Sequence, residues 1–234
     1  MSRQQYSLTL DEFRALAAEG NLIPLYREIL ADYETPVSAF AKIDHGPTAY
    51  LLESVAGGEN WARYSFLGSG SSAVIREEKG DLVLTRGKKN LRIQSRGNPL
   101  ERLRELMEEY RPVTVPGLPR FVGGAVGYLG YDMVSTFENI SFRRKESLNL
   151  PEFAFLLTDT LLIFDNIAQK IKVVANAHVA SQSERAIRQA YRQATARIER
   201  MIARLRRPLR RTASKRRRTP ITFTSNMSKA DFEK

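Results

Sequence analysis

The chain has 234 residues, 42% of them apolar and 27% charged, enough hydrophobic material for one large domain or two small ones. Cysteine is absent, which excludes disulfides, thiolate metal sites and cysteine nucleophiles and fits a reducing, cytoplasmic setting. A net charge of +11 does not by itself make a nucleic-acid binder, because eleven basic residues between Arg197 and Arg218 face Glu199 alone and carry +10 of it.

No aromatic residue is interleaved with that basic run, so it reads as a solvated helix end and connector rather than a stacking surface for bases. Met1 to Leu8 holds no sustained apolar run, and Leu161 to Phe164 is flanked by Asp159 and Asp165. Neither a signal peptide nor a membrane span is expected. His45 and His178 are the two imidazoles, far apart in sequence, and read as turn or surface residues.

Thr9, Leu10, Asp11, Glu12 has the form of a capping box and predicts a helix to about Glu19, ended by Gly20. Leu22 to Leu30 reads as extended. Thr35 and Pro36 predict an N-cap and first helical position for a short helix through Ile43, broken by His45, Gly46 and Pro47. Ala49 to Glu53 is a short apolar strand. A meander follows over Ser72–Glu77, Leu82–Arg86 and Leu91–Ser95. In its last strand, Leu91 and Ile93 alternate with Arg92 and Gln94, which predicts one buried face.

Asn98, Pro99, Leu100, Glu101 starts another helix, running to about Tyr110. After a loop over Pro112–Pro119 come an apolar stretch, Phe121–Asp132, and a polar one, Arg143–Asn149. Phe153–Phe164 and Lys170–Ala175 read as a hairpin turning near Asp165 and Asn166. Ser183 caps a long helix with apolar positions at Ile187, Tyr191, Ala194, Ile198, Met201 and Leu205. Ser228 to Asp231 begins one more capped helix, too short by Lys234 to stand alone. Strands in the middle and helices at the ends, without βαβ alternation, give an α+β class with antiparallel sheets and flanking helices.

Phosphate-loop, metal-spaced histidine and Gly-x-Ser-x-Gly patterns are missing. Gly124, Gly127 and Gly130 have the wrong spacing for a dinucleotide fingerprint and read as close-packing positions around Tyr128 and Tyr131 inside a sheet. Leu51, Leu52, Glu53, Ser54 is more suggestive. An apolar strand ending in a carboxylate beside a hydroxyl offers an acceptor for a ligand ammonium, and Arg63, Tyr64 and Ser65 could supply a cation, an aromatic face and a hydroxyl. A solvated Glu53 with Arg63 in a surface ion pair fits the same residues.

The string YLLES with WARYSFLG after it, LIPLYREILADYETPVSAFAKI before it, and FVGGAVGYLGYD and SNMSKADFEK further on resembles anthranilate synthase component I, from about Leu22 to Lys234. The resemblance implies that Leu52, Glu53 and Ser54 line a tryptophan feedback pocket, Glu53 near the ammonium, bordered by Arg63, Tyr64 and Ser65. It implies packing rather than chemistry for Gly123 to Asp132, and no catalytic residue or metal ligand in this chain. The chorismate and Mg2+ residues fall in a carboxy-terminal half.

On that basis residues 1–21 form an amino-terminal helix, 22–180 the component I amino-terminal domain, 181–224 a helix and basic connector, and 225–234 the start of a cut-off chorismate-binding domain. The chain alone is then expected to be inactive. The complete enzyme, with a glutamine amidotransferase partner, would convert chorismate and ammonia to anthranilate and pyruvate in tryptophan biosynthesis. The related aminodeoxychorismate synthase component of folate synthesis, and a stand-alone module for an amino acid or nucleic acid, remain alternatives.

Overall fold

The computed structural model describes residues 6–44, 46–53, 63–95, 98–140, 150–209 and 224–233. The capping boxes form as the sequence predicts. In α1 (Leu10–Ala17) the Thr9 hydroxyl accepts from Glu12 N, and the Glu12 carboxylate accepts from Thr9 N at 2.7 Å. Thr35 and Ser38 cap α2 (Pro36–Ile43) in the same reciprocal way, after strand β1 (Leu22–Leu30).

The strands that follow are β2 (Ala49–Glu53), β3 (Tyr64–Ser69), β4 (Ala73–Glu78), β5 (Asp81–Arg86) and β6 (Lys89–Ile93). Helix α3 (Pro99–Glu108) starts where Asn98 accepts from Leu100 N and Glu101 N. Then come β7 (Gly124–Leu129), β8 (Phe153–Thr158), β9 (Thr160–Asp165), β10 (Lys170–His178), α4 (Glu184–Leu205) and α5 (Lys229–Phe232). The strands build two antiparallel sheets, ordered β1-β10-β9-β3-β2 and β6-β5-β4-β8-β7. This is the expected α+β arrangement of antiparallel sheets with flanking helices.

Two crossings join the sheets. The chain passes from β3 to β4 through Gly70–Ser72 and from β8 to β9 through Asp159. Phe153–Phe164 is therefore not one strand, as the sequence suggests. It breaks at Asp159 because β8 pairs with β4 and β7, whereas β9 pairs with β3 and β10. An apolar run carries no mark of a change of partner.

One face of the first sheet is covered by α1, α2 and α4, which bury Phe13, Ile43, Ile198 and Met201 against Leu67, Leu162 and Val173. The face of α4 is thus buried within this chain and does not await another polypeptide segment. On the sheet's opposite face Leu161, Ile163 and Val174 pack with Phe66, Phe121 and Val122. The second sheet takes Leu100, Leu103 and Leu106 of α3 on its core. Ile93 joins that core, but Leu91, on the same face of edge strand β6, stays 58% exposed. The period-2 pattern there does not mark a fully buried face.

The glycines of β7 behave only partly as expected. A Cβ on Gly127 would stand 1.8 Å from Ala154 O, so that residue does permit close strand approach. Tyr128 is exposed, however, because β7 lies at the edge of its sheet rather than inside it, and Tyr131 is exposed in the 3-10 turn Tyr131–Thr136 beyond the strand. Among the described residues, no helix is long and apolar enough to cross a membrane.

Candidate functional site

Of the six residues singled out from sequence, Leu52, Glu53, Arg63, Tyr64 and Ser65 are described, whereas Ser54 lies outside the described residues, as does His45. The register brings them to one end of the first sheet. β2 is the edge strand, with Leu52 opposite Phe66 and Glu53 opposite Ser65. Alternation along the strands then divides them. Leu52 and Tyr64 share the face of Phe66 and Ile163, while Glu53 and Ser65 share the helix-covered face with Phe164 and Leu67.

Glu53 closes β2 as an exposed carboxylate with no ion-pair or hydrogen-bond partner among the described residues. β2 ends at this carboxylate, and an exposed Glu53 with an ion-paired Arg63 is the arrangement that the residues also fit without a ligand. Ser65 is buried, and its hydroxyl accepts from Asn166 Nδ2 at 3.1 Å. Leu52 is half exposed at the sheet edge.

Arg63 is already engaged. Its Nη2 donates to Asp165 Oδ2 at 2.7 Å and its Nε donates to Oδ1 at 3.1 Å. The guanidinium also lies 5.0 Å from the centre of the Tyr64 ring, a cation–π contact. Asp165 is nearly fully buried, and the Arg63 hydrogen bonds hold its carboxyl below the usual range against the opposing effect of burial. A ligand carboxylate approaching Arg63 would compete with Asp165 or use the remaining Nη1.

The turn after β9 braces this end. Asn166 N donates to Arg63 O at 2.8 Å, and Ala168 N donates to Asp165 Oδ1 at 3.1 Å. Sequence reasoning took Asp165 and Asn166 for hairpin punctuation and missed this role. Their acid-amide pair was legible, but its target was set by β9 lying beside β3. The edge thus presents an exposed Glu53 on one face and Leu52 with Tyr64 on the other, with Arg63 held by Asp165 beyond the strand end.

Among the described residues, no group of three histidine, cysteine, aspartate or glutamate side chains is placed to hold a metal ion.

The chorismate binding enzyme family matches residues 48–234. Anthranilate synthase component 1 of Acetivibrio thermocellus is 36% identical over 230 residues, covering 96% of this chain and 46% of that protein. The same component of Pseudomonas aeruginosa is 38% identical over 202 residues, 85% of this chain and 40% of the relative. Aquifex aeolicus component 1 is 41% identical over 171 residues, 72% of this chain and 34% of the relative. A crystal structure of anthranilate synthase component I from Streptococcus pneumoniae superposes with a TM-score of 0.46 at 26% identity, covering 77% of this chain and 37% of that one.

The chain thus spans less than half the length of these relatives. The family match begins at residue 48 and takes in β2 through α5, far more than residues 225–234, to which the sequence reading confined the chorismate-binding part. That span argues against treating that part as wholly absent. By this match over most of its length, the chain belongs to the chorismate binding enzyme family.

Proposed function

We propose that this chain is the tryptophan-sensing part of an anthranilate synthase large subunit. The observation that carries the reading is the Glu53 carboxylate at the end of edge strand β2, exposed and unpaired among the described residues, in a chain similar along 96% of its length to an anthranilate synthase component 1. Leu52, Glu53 and Ser54 line the amino acid, the Glu53 carboxylate accepting from its ammonium. Arg63, Tyr64 and Ser65 border it from the neighbouring strand.

The whole protein would convert chorismate, with ammonia from a glutamine amidotransferase partner, to anthranilate and pyruvate in a cytoplasmic, magnesium-dependent reaction. These 234 residues by themselves would not complete that conversion, since the relatives are more than twice as long. Feedback would require tryptophan to favour one arrangement of the enzyme over another, because equal affinity for both shifts nothing. Titration calorimetry of the chain with L-tryptophan, beside Glu53→Gln, tests the reading. Saturable heat that the substitution weakens supports it; equal heat from both proteins removes Glu53 from the pocket.

A further inference from the structure

Five side-chain polar atoms among the described residues are buried without a well-aligned hydrogen bond: Ser71 Oγ, Thr160 Oγ1, Arg197 Nε, and Tyr50 Oη and Thr158 Oγ1, which face each other. They gather where the two sheets join. Tyr50 covers Gly68, whose missing Cβ would stand 2.4 Å from the ring, and Ser71 lies in the β3–β4 crossing. Thr158 and Thr160 flank Asp159 in the other crossing. Asp159 O accepts from Asn176 N at 2.7 Å, and Asn176 O accepts from Arg197 Nη2 at 2.7 Å. With Tyr50 and Thr158 set toward each other, Ser71, Thr160 and Arg197 are left without a partner for these atoms at the junction, whereas native proteins satisfy nearly all buried polar groups.

Two clefts meet at the same point, and both are lined by Asp159 and Arg197. One, of about 520 Å³, runs between the sheets and α4; the other, of about 150 Å³, leads toward Arg200 and Arg204. Arg197, Arg200 and Arg204 recur at helical spacing and occupy one face of α4. None of the three forms an ion pair among the described residues, and one carboxylate, that of Asp159, lines the clefts against them. Arg197 donates its one protein hydrogen bond among the described residues to a neutral carbonyl. Burial pushes its guanidinium below the usual range, a sign that its charge is undercompensated. An arginine stays protonated and must be paired or solvated. Across from α4 the larger cleft presents Met107, Tyr110 and Leu157, beside the polar Arg86 and His178.

We propose that this junction is a binding site for a small carboxylic acid with an apolar body, its carboxylate gripped by the Arg197 guanidinium and its body lying along Met107 and Leu157. The mixed lining separates it from a simple anion site, which would need no greasy wall. A volume of this order suits a small organic ligand. It lies at the start of β9, whereas the Arg63–Asp165 pair marks the end of that strand, about 17 Å away for six extended residues. The site therefore stands apart from the edge at Glu53 and does not depend on the tryptophan reading.

Amide NMR of the chain during titration with phenylacetate tests the proposal, with neutral phenylacetamide and inorganic phosphate as comparisons. Saturable shifts at Thr158, Thr160 and Asn176 are expected with phenylacetate, and weak, unsaturated ones with the other two. Arg197→Met weakens phenylacetate binding at least about tenfold, the scale of one hydrogen bond to a charged group. Arg192→Met, an exposed change on the same helix, leaves it unaltered. Should Arg197→Met fail to fold, Arg197→Lys keeps the charge without the planar fork and is expected to weaken binding severalfold. An absent or unsaturable response, equal affinity for phosphate or the amide, or undiminished binding in Arg197→Met or Arg197→Lys overturns the proposal.

Discussion

Arg63 and Asp165 are 102 positions apart in sequence, yet they close the end of the first sheet with an ion pair of 2.7 Å. The pair ties the strand that carries Tyr64 and Ser65 to the turn that follows β9. Whether ligand or scaffold claims Arg63 is therefore a competition with a buried carboxylate.

Asp165→Asn is expected to destabilise the fold by about 1 to 2 kcal/mol, the lower part of the range for a hydrogen bond to a charged group because Arg63 is half exposed and screened. The folded-state pKa of Asp165 lies below its ordinary value of 3.8. Its contribution is present above that value and is lost as pH falls through the lower folded value. Denaturant melts between pH 7 and pH 3 are expected to show a weaker loss of stability with acid in the variant. Superimposable acid limbs would contradict the assignment.

Glu53→Ala in the complete enzyme is expected to weaken tryptophan inhibition by tenfold or more, since a hydrogen bond to a charged group contributes about 1.5 to 3 kcal/mol. The uninhibited rate is expected to change much less. Inhibition curves with tryptophan at fixed chorismate check both, and an unchanged midpoint counts against the pocket.

Ile198→Ala tests whether α4 belongs to the core of this chain. Ile198 is fully buried on the first sheet, and losing it costs about 2 to 5 kcal/mol. Urea unfolding measures the loss. A cost below about 0.5 kcal/mol is what a surface site gives and would mean that the helix face is not packed here.

Gly127→Ala would drive a methyl to within 1.8 Å of Ala154 O, so β7 must shift away from β8. The expected cost is about 1 to 3 kcal/mol, as for other overpacked positions. Hydrogen exchange is expected to quicken at β7 amides paired to β8 and not in the first sheet. Uniform protection in both sheets would show that the strand tolerates the side chain.

Local chemistry fixed much of this protein before any packing was known. Thr9 with Glu12, Thr35 with Pro36, Asn98 with Pro99, and Ser183 each name a helix start, because a side-chain oxygen beside free backbone donors acts over a few residues. The apolar recurrence of α4 likewise announced its buried face, and the end of β2 at Glu53 was legible from the run of Ala49 to Leu52. The partition of strands between sheets, the break at Asp159, the exposure of Tyr128 and the use of Asp165 to hold Arg63 were decided by tertiary structure. So was the placement of Arg197, first of a basic run that looked like solvated connector but tucked beneath the sheet junction. Strand partners are chosen by contacts between segments distant in sequence, and alternation along one strand states that it has two faces without saying what covers either.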